Sequence, residues 1–253
     1  MYKIPASTLF VGKNLLFVPS CLSTNSYALE LCQQSPLTPD GTVVITDNQT
    51  AGRGQRGNQW ITAPGKNFTL SILFKPSFLS TKDQFYLNVF TSLSIYDYLL
   101  EKGCKTVRIK WPNDIYVGSK KICGILIENV IAGNRFSNVV IGIGLNVNQD
   151  EFGVHSATSL YLEVGNVFDL QPELDELLAF IEARYLKLKR NELQSMMLEY
   201  LKFMYWRGEP HVFSDIHGDF EGNIAGLDES GRLRIATDNG ERSFDVKEIT
   251  YVR

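Results

Sequence analysis

Residues 52–57 read GRGQRG, two arginines set among three glycines, and Trp60 follows three positions later. Glycine lets backbone N–H groups approach a bound anion closely, and a guanidinium group binds carboxylate or phosphate through two hydrogen bonds. A single arginine in such a segment would indicate only a solvated basic turn. Two arginines beside a tryptophan favour a site that binds anions.

The same six residues match G-x-G-x-x-G, the fingerprint of dinucleotide-binding folds. In those folds the segment passes from a strand directly into a helix, whose N-terminus holds the pyrophosphate. Here Pro64 and Gly65 follow closely and oppose helix formation. No acidic residue ends a second strand about 20 positions on, where a ribose contact is expected. The pattern therefore disfavours a dinucleotide-dependent oxidoreductase.

Three later segments carry weaker signals of chemistry. Residues 110–114 (KWPND) place Asn113 and Asp114 after a Trp-Pro pair that stops a strand, although taken alone an Asx-turn explains them better. Residues 120–128 place lysines at the mouth of an apolar strand, where a lysine either reaches into a pocket or lies on a hairpin turn. Residues 142–148 (GIGLNVN) contain alternate glycines, which indicate close approach of a ligand or a second backbone, or a bulge.

The elements that must position these segments follow from hydrophobic periodicity. Short apolar or β-branched runs predict strands at 42–46, 68–74, 107–109, 115–117, 122–130 and 137–147. Apolar residues at helical spacing predict helices over 25–34, 81–100, 174–188 and 193–204, the first capped by Ser23 and Thr24. Because three of the strands cluster without long helices between them, we expect an α+β fold with a mixed or antiparallel sheet and flanking helices.

The pattern changes after residues 208–210 (GEP). Short strands with turn signals follow, and Asn239-Gly240 between alternating runs is a strong hairpin signal. The remaining length is enough for a small β-barrel. We therefore predict a main domain over 1–208 and an appended β-barrel domain over 209–253.

Composition limits the class of protein. The chain has 253 residues, 44% hydrophobic and 21% charged, which excludes a disordered or fibrous chain. Its formal net charge of −3 gives no overall field for holding DNA, so a bound polyanion must rely on a few placed residues. The four cysteines lack a C-x-x-C spacing and the three histidines lack a zinc-binding spacing, which disfavours a zinc site. Unpaired cysteines in a chain of this size indicate a reducing compartment. With no signal peptide or membrane span evident, we expect a cytoplasmic protein.

In order and spacing, the motifs together resemble the biotin protein ligases. The matching segments are Ser23-Thr24-Asn25, residues 49–54 (QTAGRG), Trp60, residues 110–114, residues 121–128 (KICGILIE) and residues 142–146. The combination of KWPND with K-x-x-G-I-L-x-E is highly specific for that family. The resemblance implies the class II synthetase-like core of the biotin and lipoate ligases, followed by a small SH3-like β-barrel.

The resemblance also implies an activity in two steps. The biotin carboxylate attacks the α-phosphate of ATP, which Mg²⁺ accompanies, to give biotinyl-5′-AMP and pyrophosphate. A specific lysine of a biotin carboxyl carrier protein, as in acetyl-CoA carboxylase, then attacks the acyl carbon and releases AMP. A lipoate or octanoate ligase of the same superfamily is the nearest alternative, and a non-catalytic biotin-binding module is another.

Residue roles are implied by position within the matching motifs. Lys121 and Arg53 are the expected catalytic cations, since a carboxylate must be brought against a triphosphate. The residues expected to bind biotin are Ser23, Thr24, Asn25, Gln49, Gly52, Arg53, Gly54, Gln55, Trp60, Lys121 and Gly124. The residues expected to bind the nucleotide are Arg56, Lys110, Asn113, Asp114 and Asn146, with Asp114 also expected near the Mg²⁺.

Two features depart from the pattern of many family members. Gln55 stands where many have an arginine that helps to order the loop over the adenylate, so we expect weaker retention of biotinyl-AMP, with Arg56 compensating. Only 22 residues precede Ser23, too few for the winged-helix DNA-binding domain that some members carry. We therefore expect a monofunctional ligase, monomeric or homodimeric, that binds neither nucleic acid nor membranes.

Overall fold

A mixed seven-stranded sheet forms the centre of the computed structural model. The structure describes residues 2–252 and, within that range, every side chain except that of Arg56. The strands are β1 (Leu15–Phe17), β2 (Ser20–Cys21), β3 (Thr42–Thr46), β4 (Asn48–Gln49), β5 (Phe68–Phe74), β6 (Val107–Lys110), β7 (Asp114–Val117), β8 (Lys120–Ala132), β9 (Arg135–Leu145), β10 (His211–Asp215), β11 (Gly218–Leu227), β12 (Leu233–Thr237), β13 (Gly240–Phe244) and β14 (Thr250–Tyr251). The helices are α1 (Thr24–Gln34), α2 (Phe85–Glu101), α3 (Leu160–Val164), α4 (Leu170–Lys189) and α5 (Leu193–Lys202), with 3-10 turns at Gln55–Gly57 and Thr81–Asp83.

The order of strands in the central sheet is β1-β3-β5-β9-β8-β7-β6. β1 is parallel to β3, and every other neighbouring pair is antiparallel. β2 and β4 form a separate parallel pair beside α1. Short connections allow the antiparallel pairing, as the clustered strand signals predicted. The α+β class with a mixed sheet and flanking helices is confirmed.

Helices α2 and α4 cover one face of the sheet and form the main core with it. Leu87 and Phe90 of α2 are fully buried, and the ring of Tyr185 in α4 stacks on that of Phe74 in β5 with centroids 4.3 Å apart. Each such side chain contributes about 1.5–3 kcal/mol by leaving water. This layer holds the sheet rigid beneath whatever binds to its other face.

Helix α1 packs on that other face. Along β3, Val43 and Ile45 join the main core, whereas Val44 packs with Ala28 of α1 and Val140 of β9. This alternation is the period of two that a strand imposes on its side chains. Beside the N-terminal start of α1, the same face is left open to form a cavity.

Three predicted helix boundaries differ from those observed by two or more residues, and the first is the start of α4, which lies at Leu170 instead of residue 174. The helix predicted over 81–100 begins as a 3-10 turn capped by Ser80, and α2 itself starts at Phe85. The helix predicted over 193–204 ends at Lys202, because the following backbone pairs with Ile109 of β6 instead. Helix α3, a single turn capped by Ser159, had no predicted counterpart.

The C-terminal strands form a second, five-stranded antiparallel sheet in the order β13-β12-β11-β10-β14. The predicted hairpin at Asn239-Gly240 is present, with Thr237 paired to Gly240 at a left-handed φ of 108°. This sheet is the small C-terminal β unit implied by the resemblance. Its interior joins the main core continuously, and the boundary at 208/209 stays a prediction.

Among residues 2–252, no helix is both long and apolar enough to cross a lipid bilayer.

Candidate active site

A cavity of about 290 Å³ lies on the open face of the central sheet, between the start of α1, the 52–60 loop, the β6–β7 turn and the C-terminal sheet. Its walls include thirteen of the residues predicted from the sequence: Ser23, Thr24, Asn25, Gln49, Arg53, Gly54, Gln55, Trp60, Lys110, Asn113, Asp114, Lys121 and Gly124. Segments as far apart in the chain as α1 and β8 are thus brought together by the sheet.

The start of α1 forms a hydrogen-bonded wall. Ser23 is its N-cap, and the Thr24 backbone N–H donates to Gln49 Oε1 at 2.9 Å. Ser71 Oγ of β5 lies 2.6 Å from Asn25 Oδ1, while Asn25 Nδ2 donates to Leu126 O at 3.1 Å. Buried polar groups at this wall are therefore satisfied and fixed in direction before any ligand binds.

Glycines make room for two of the walls. A Cβ atom on Gly142 would overlap the side chain of Asn25, and one on Gly144 would overlap the indole ring of Trp60. The alternate glycines were expected to admit a ligand or a second backbone, whereas in the structure the groups that approach them are these two side chains. Gly52 has the same role in the loop, where a Cβ would collide with the backbone of Trp60.

The two predicted catalytic cations are each paired with a carboxylate. Lys121 Nζ lies 2.6 Å from Asp114 Oδ1, and Arg53 Nη2 lies 2.8 Å from Glu128 Oε2. Between 24% and 44% of each of these side chains is exposed. Such solvated pairs are worth about 0–1 kcal/mol, so an incoming anion can replace either carboxylate at little cost.

A β-bulge in β8 determines where Lys121 points. Ile122 and Cys123 are consecutive residues and both are fully buried in the core, because the register with β7 shifts between Ile115 and Tyr116. Lys121 therefore lies on the cavity face, as Gly124 does. Bulges re-aim side chains in this way beside functional sites.

The KWPND segment is anchored to the C-terminal sheet. Lys110 Nζ lies 4.5 Å from the centre of the Tyr251 ring, and Trp111 Nε1 donates to Gly231 O at 2.9 Å. Asn113 donates through Nδ2 to the backbone oxygen of Ile125 in β8. The turn is thus fixed on two sides, which leaves Asp114 to meet Lys121.

Among the predicted residues whose side chains are described, Gly52 and Asn146 do not line the cavity. Gly52 lies behind Trp60, and the side chain of Arg56 is outside the described residues. Asn146 is buried and donates through Nδ2 to Thr158 O at 2.9 Å, while the Thr158 N–H donates to Lys121 O at 2.9 Å. In this structure Asn146 supports the backbone of Lys121 from outside the cavity.

Several lining residues were not predicted. Thr69 belongs to β5, whose seven residues are all buried; a polar side chain in a strand buried on both faces is a signal that sequence reasoning could have used. Val246, Lys247, Ile249, Thr250 and Tyr251 also line the cavity and come from the C-terminal unit. No local motif in the sequence marks these C-terminal residues. Glu128 lies within the KICGILIE motif, but no role was predicted for it.

Two buried donors at the cavity lack a hydrogen-bond partner within the described part of the chain. They are Trp60 Nε1 and the Tyr251 hydroxyl. Burial raises the pKa of the Tyr251 phenol well above its usual range, so the hydroxyl keeps its proton. Because buried donors are nearly always satisfied in native proteins, both are available to a bound ligand.

Within residues 2–252, no cluster of three or more His, Cys, Asp or Glu side chains could hold a metal ion by itself. Asp114 is the carboxylate that lines the cavity. One carboxylate suits Mg²⁺ that arrives bound to phosphate oxygens and keeps most of its other ligands as water. It does not suit a tightly held resident metal.

Comparison with known proteins agrees with this arrangement. The sequence profile of the biotin/lipoate A/B protein ligase family matches residues 18–146. The chain is 30% identical over 248 residues to the bifunctional ligase/repressor BirA of Bacillus subtilis, covering 96% of this chain and 75% of that protein. It is 29% identical to the biotin–[acetyl-CoA-carboxylase] ligase of Paracoccus denitrificans, covering 90% of this chain and 97% of that one.

A solved structure shows the same likeness in three dimensions. The biotin protein ligase of Aquifex aeolicus, in complex with biotin and ATP, superposes with a TM-score of 0.78 at 28% identity. The match covers 95% of this chain and 99% of the Aquifex chain. It therefore includes the C-terminal sheet as well as the central one.

Proposed function

Because the chain belongs to the biotin/lipoate A/B protein ligase family, we propose that it activates biotin as biotinyl-5′-AMP and transfers it to a lysine of a biotin carboxyl carrier protein. One observation carries the proposal beyond the family. Lys121 and Arg53 line a single cavity, and each is held by a carboxylate that a substrate anion can replace.

In the first step, an oxygen of the biotin carboxylate forms a bond to the α-phosphorus of ATP. The bond from that phosphorus to the bridging oxygen breaks, and pyrophosphate leaves with the electron pair. Both reactants are anions, so their approach must be neutralised. Lys121 would leave Asp114 for the biotin carboxylate and then the mixed anhydride, and Arg53 would leave Glu128 for the same group.

In the second step, the neutral amine of the acceptor lysine attacks the acyl carbon. The carbon–oxygen bond to AMP breaks, AMP leaves, and the proton of the amine passes to solvent. The cavity holds the adenylate and shields it from hydrolysis until the acceptor arrives. Arg53, Gly54, Gln55 and Trp60 would contribute to this, because they line the cavity from the same loop.

Biotin needs an apolar slot for its ring and tail together with polar groups for its ureido head. Thr24 and Gln49 supply the polar end, and the ring of Trp60 lies against Gly144 to form an apolar side. Trp60 Nε1 is a further donor without a partner in the described structure. This division of polar and apolar walls is typical of small-molecule sites.

Asp114 would hold the Mg²⁺ that accompanies ATP, and the ion would supply charge neutralisation at the phosphates. The acceptor would be a biotin carboxyl carrier protein, as the name of the Paracoccus relative suggests. A cytoplasmic location is supported by the four cysteines, which are all unpaired.

The proposal is tested by incubating the full chain with ATP, Mg²⁺, a biotin carboxyl carrier domain and either biotin or lipoate. We expect the mass of the carrier to rise by one biotinyl group, with release of pyrophosphate and AMP. Modification with lipoate alone would assign the chain to the lipoate ligases. Binding of biotin without either product would make it a non-catalytic binding module.

A further inference from the structure

The turn between β13 and β14 brings an additional lysine into the cavity. Lys247 lines the same cavity as Lys121 and Asp114, although more than a hundred residues separate it from both in the chain. Lys247 is exposed. Among residues 2–252, it has no carboxylate partner within ion-pair distance.

The backbone at Lys247 is in a conformation that favours glycine. The Glu248 N–H donates to Asp245 O at 3.1 Å, which closes a four-residue turn with Lys247 at its third position and a φ of 82°. Glycine or asparagine usually occupies that position, because a side chain strains the left-handed backbone. A lysine at such a position costs stability, and its charge at a binding cavity gives a reason for that cost.

Charge in the cavity is strongly one-sided. Among the described side chains, Arg53, Lys110, Lys121 and Lys247 line it as cations and Asp114 as the one carboxylate, while Glu128 pairs with Arg53 beside it. The whole chain nevertheless has a net charge of −3. A concave site lined mainly by positive charges attracts anions, even when the protein as a whole carries a net negative charge.

The position of the turn between β13 and β14 determines which part of the bound substrates Lys247 can contact. Tyr251, four residues further on, lies under Lys110 of the KWPND segment, and Trp111 donates to Gly231 of the C-terminal sheet. The C-terminal unit therefore approaches the cavity from the KWPND side. The wall proposed for biotin, at α1 and Trp60, is formed by other elements.

We infer that Lys247 binds the β- and γ-phosphates of ATP, and hence the pyrophosphate that leaves in the first step. This inference rests on the proposed function. Lys121 and Arg53 are proposed to meet the biotin carboxylate and the mixed anhydride, which leaves Lys110 and Lys247 as the other described cations that line the cavity. Lys110 lies over the Tyr251 ring, whereas the exposed Lys247 has no described carboxylate partner and can turn toward the terminal phosphates. Charge builds up on the leaving pyrophosphate as its bond to the α-phosphorus breaks, and a fixed ammonium group stabilises it there.

Replacing Lys247 by glycine tests the inference, because glycine removes the charge and relaxes the backbone at once. We expect the KM for ATP to rise about tenfold, as for the loss of one charge-assisted contact, and inhibition by pyrophosphate to weaken to a similar extent. The KM for biotin should stay the same, and the melting temperature should stay the same or rise. Lys247→Arg should restore most of the affinity for ATP.

The second half-reaction provides the discriminating measurement. Transfer from preformed biotinyl-AMP to the carrier involves no triphosphate, so Lys247→Gly should leave its rate unchanged. A raised KM for the carrier with an unchanged KM for ATP would show that Lys247 contacts the acceptor instead, and would overturn the inference. Unchanged constants for both would also overturn it.

Two control variants separate charge from backbone effects. Lys120→Ala removes an exposed lysine that does not line the cavity, and Asn191→Gly relaxes another left-handed residue, at a φ of 62°, at the end of α4. Neither should change the KM for ATP.

If Lys247→Gly does not fold, Lys247→Asn repeats the test, because asparagine tolerates this φ. Absence of biotinyl-AMP with the unmodified protein would refute the proposed function, whereas an unaffected Lys247 variant of an active enzyme refutes only this inference.

Discussion

Lys121 and Gly124 lie on the same face of β8, although they are three positions apart and a regular strand would place them on opposite faces. The β-bulge between them sends Ile122 and Cys123 together into the core. It returns Lys121 to the cavity, where Nζ meets Asp114 Oδ1 at 2.6 Å. Lys120, the preceding residue, is exposed outside the cavity and cannot take over this position.

Lys121→Ala should therefore abolish formation of biotinyl-AMP while leaving the protein folded. Its ion pair with Asp114 is solvated, so the free energy of unfolding should fall by less than about 1 kcal/mol. Pyrophosphate release and chemical denaturation measure the two effects. Lys120→Ala is the matched control and should retain activity; appreciable adenylation by the Lys121 variant would remove that residue from the mechanism.

Glu128 holds Arg53 in an ion pair, so we expect it to compete with the proposed substrate anion for that guanidinium. Its Oε2 atom accepts hydrogen bonds from Arg53 Nη2 and from Asn25 Nδ2, both at 2.8 Å. Glu128→Gln keeps an acceptor for Asn25 but removes the charge that attracts Arg53. We expect biotin to bind about 1.4- to fivefold more tightly, as fits a solvated pair worth about 0.2–1 kcal/mol. Isothermal titration calorimetry measures the change.

That gain should depend on the arginine. In an Arg53→Ala background, Glu128→Gln should no longer improve biotin affinity, and a persistent gain would show that Glu128 acts through another group. Glu101→Gln removes an exposed carboxylate at the end of α2 and serves as the charge-matched control.

Gly144→Ala should damage the biotin site more than the fold. The added methyl group would overlap the indole of Trp60, which must then move outward with its loop. Overpacking of this kind costs about 1–3 kcal/mol in a rigid core, and a loop side chain that can move keeps the cost near the lower end. Biotin affinity should fall steeply. At Gly153 a Cβ would meet no atom within 4 Å, so Gly153→Ala should leave affinity unchanged.

Gln55→Arg should slow the release of biotinyl-AMP. Gln55 lines the cavity within the 52–57 loop, and a guanidinium there would add a charge-assisted contact to the adenylate phosphate. The dissociation rate, measured by chase with unlabelled biotin and ATP, should decrease in the variant. An unchanged rate would show that Gln55 does not limit how long the intermediate is held.

The thiols should fall into two reactivity classes. Cys104 and Cys123 are buried, and burial raises the pKa of the Cys104 thiol to about 12, so almost no thiolate forms near neutral pH. Cys21 and Cys32 are only partly buried. With a thiol reagent such as DTNB, two groups should react in the native protein and two more after denaturation. Rapid reaction of all four would contradict the packing around β8.

Much of the site could be predicted because its signals are local. Ser23 caps α1 as its residue type and position indicated, and alternate glycines at 142 and 144 indicated a close approach that Asn25 and Trp60 make. The arginines of the 52–57 loop and the KWPND turn are contiguous motifs. Capping and turn formation depend on neighbours in the chain, so the sequence alone predicts them. The glycines indicate room for a close approach, but not which distant side chains make it.

Other features depend on contacts between distant segments. The bulge that aims Lys121 follows from the register of β8 against β7, and a shift of one residue exchanges the two faces of a strand without altering its composition. Glu128 meets Arg53 across 75 positions of sequence, and Asn146 supports Lys121 through Thr158 rather than facing the cavity. Lys247 and Tyr251 reach the cavity only because the C-terminal sheet docks on the KWPND turn. Residue types along the chain therefore determined the chemistry available. Strand register and the docking of the second sheet decided which groups face the cavity. The sequence alone could not show these two features, because packing between segments far apart in the chain sets them.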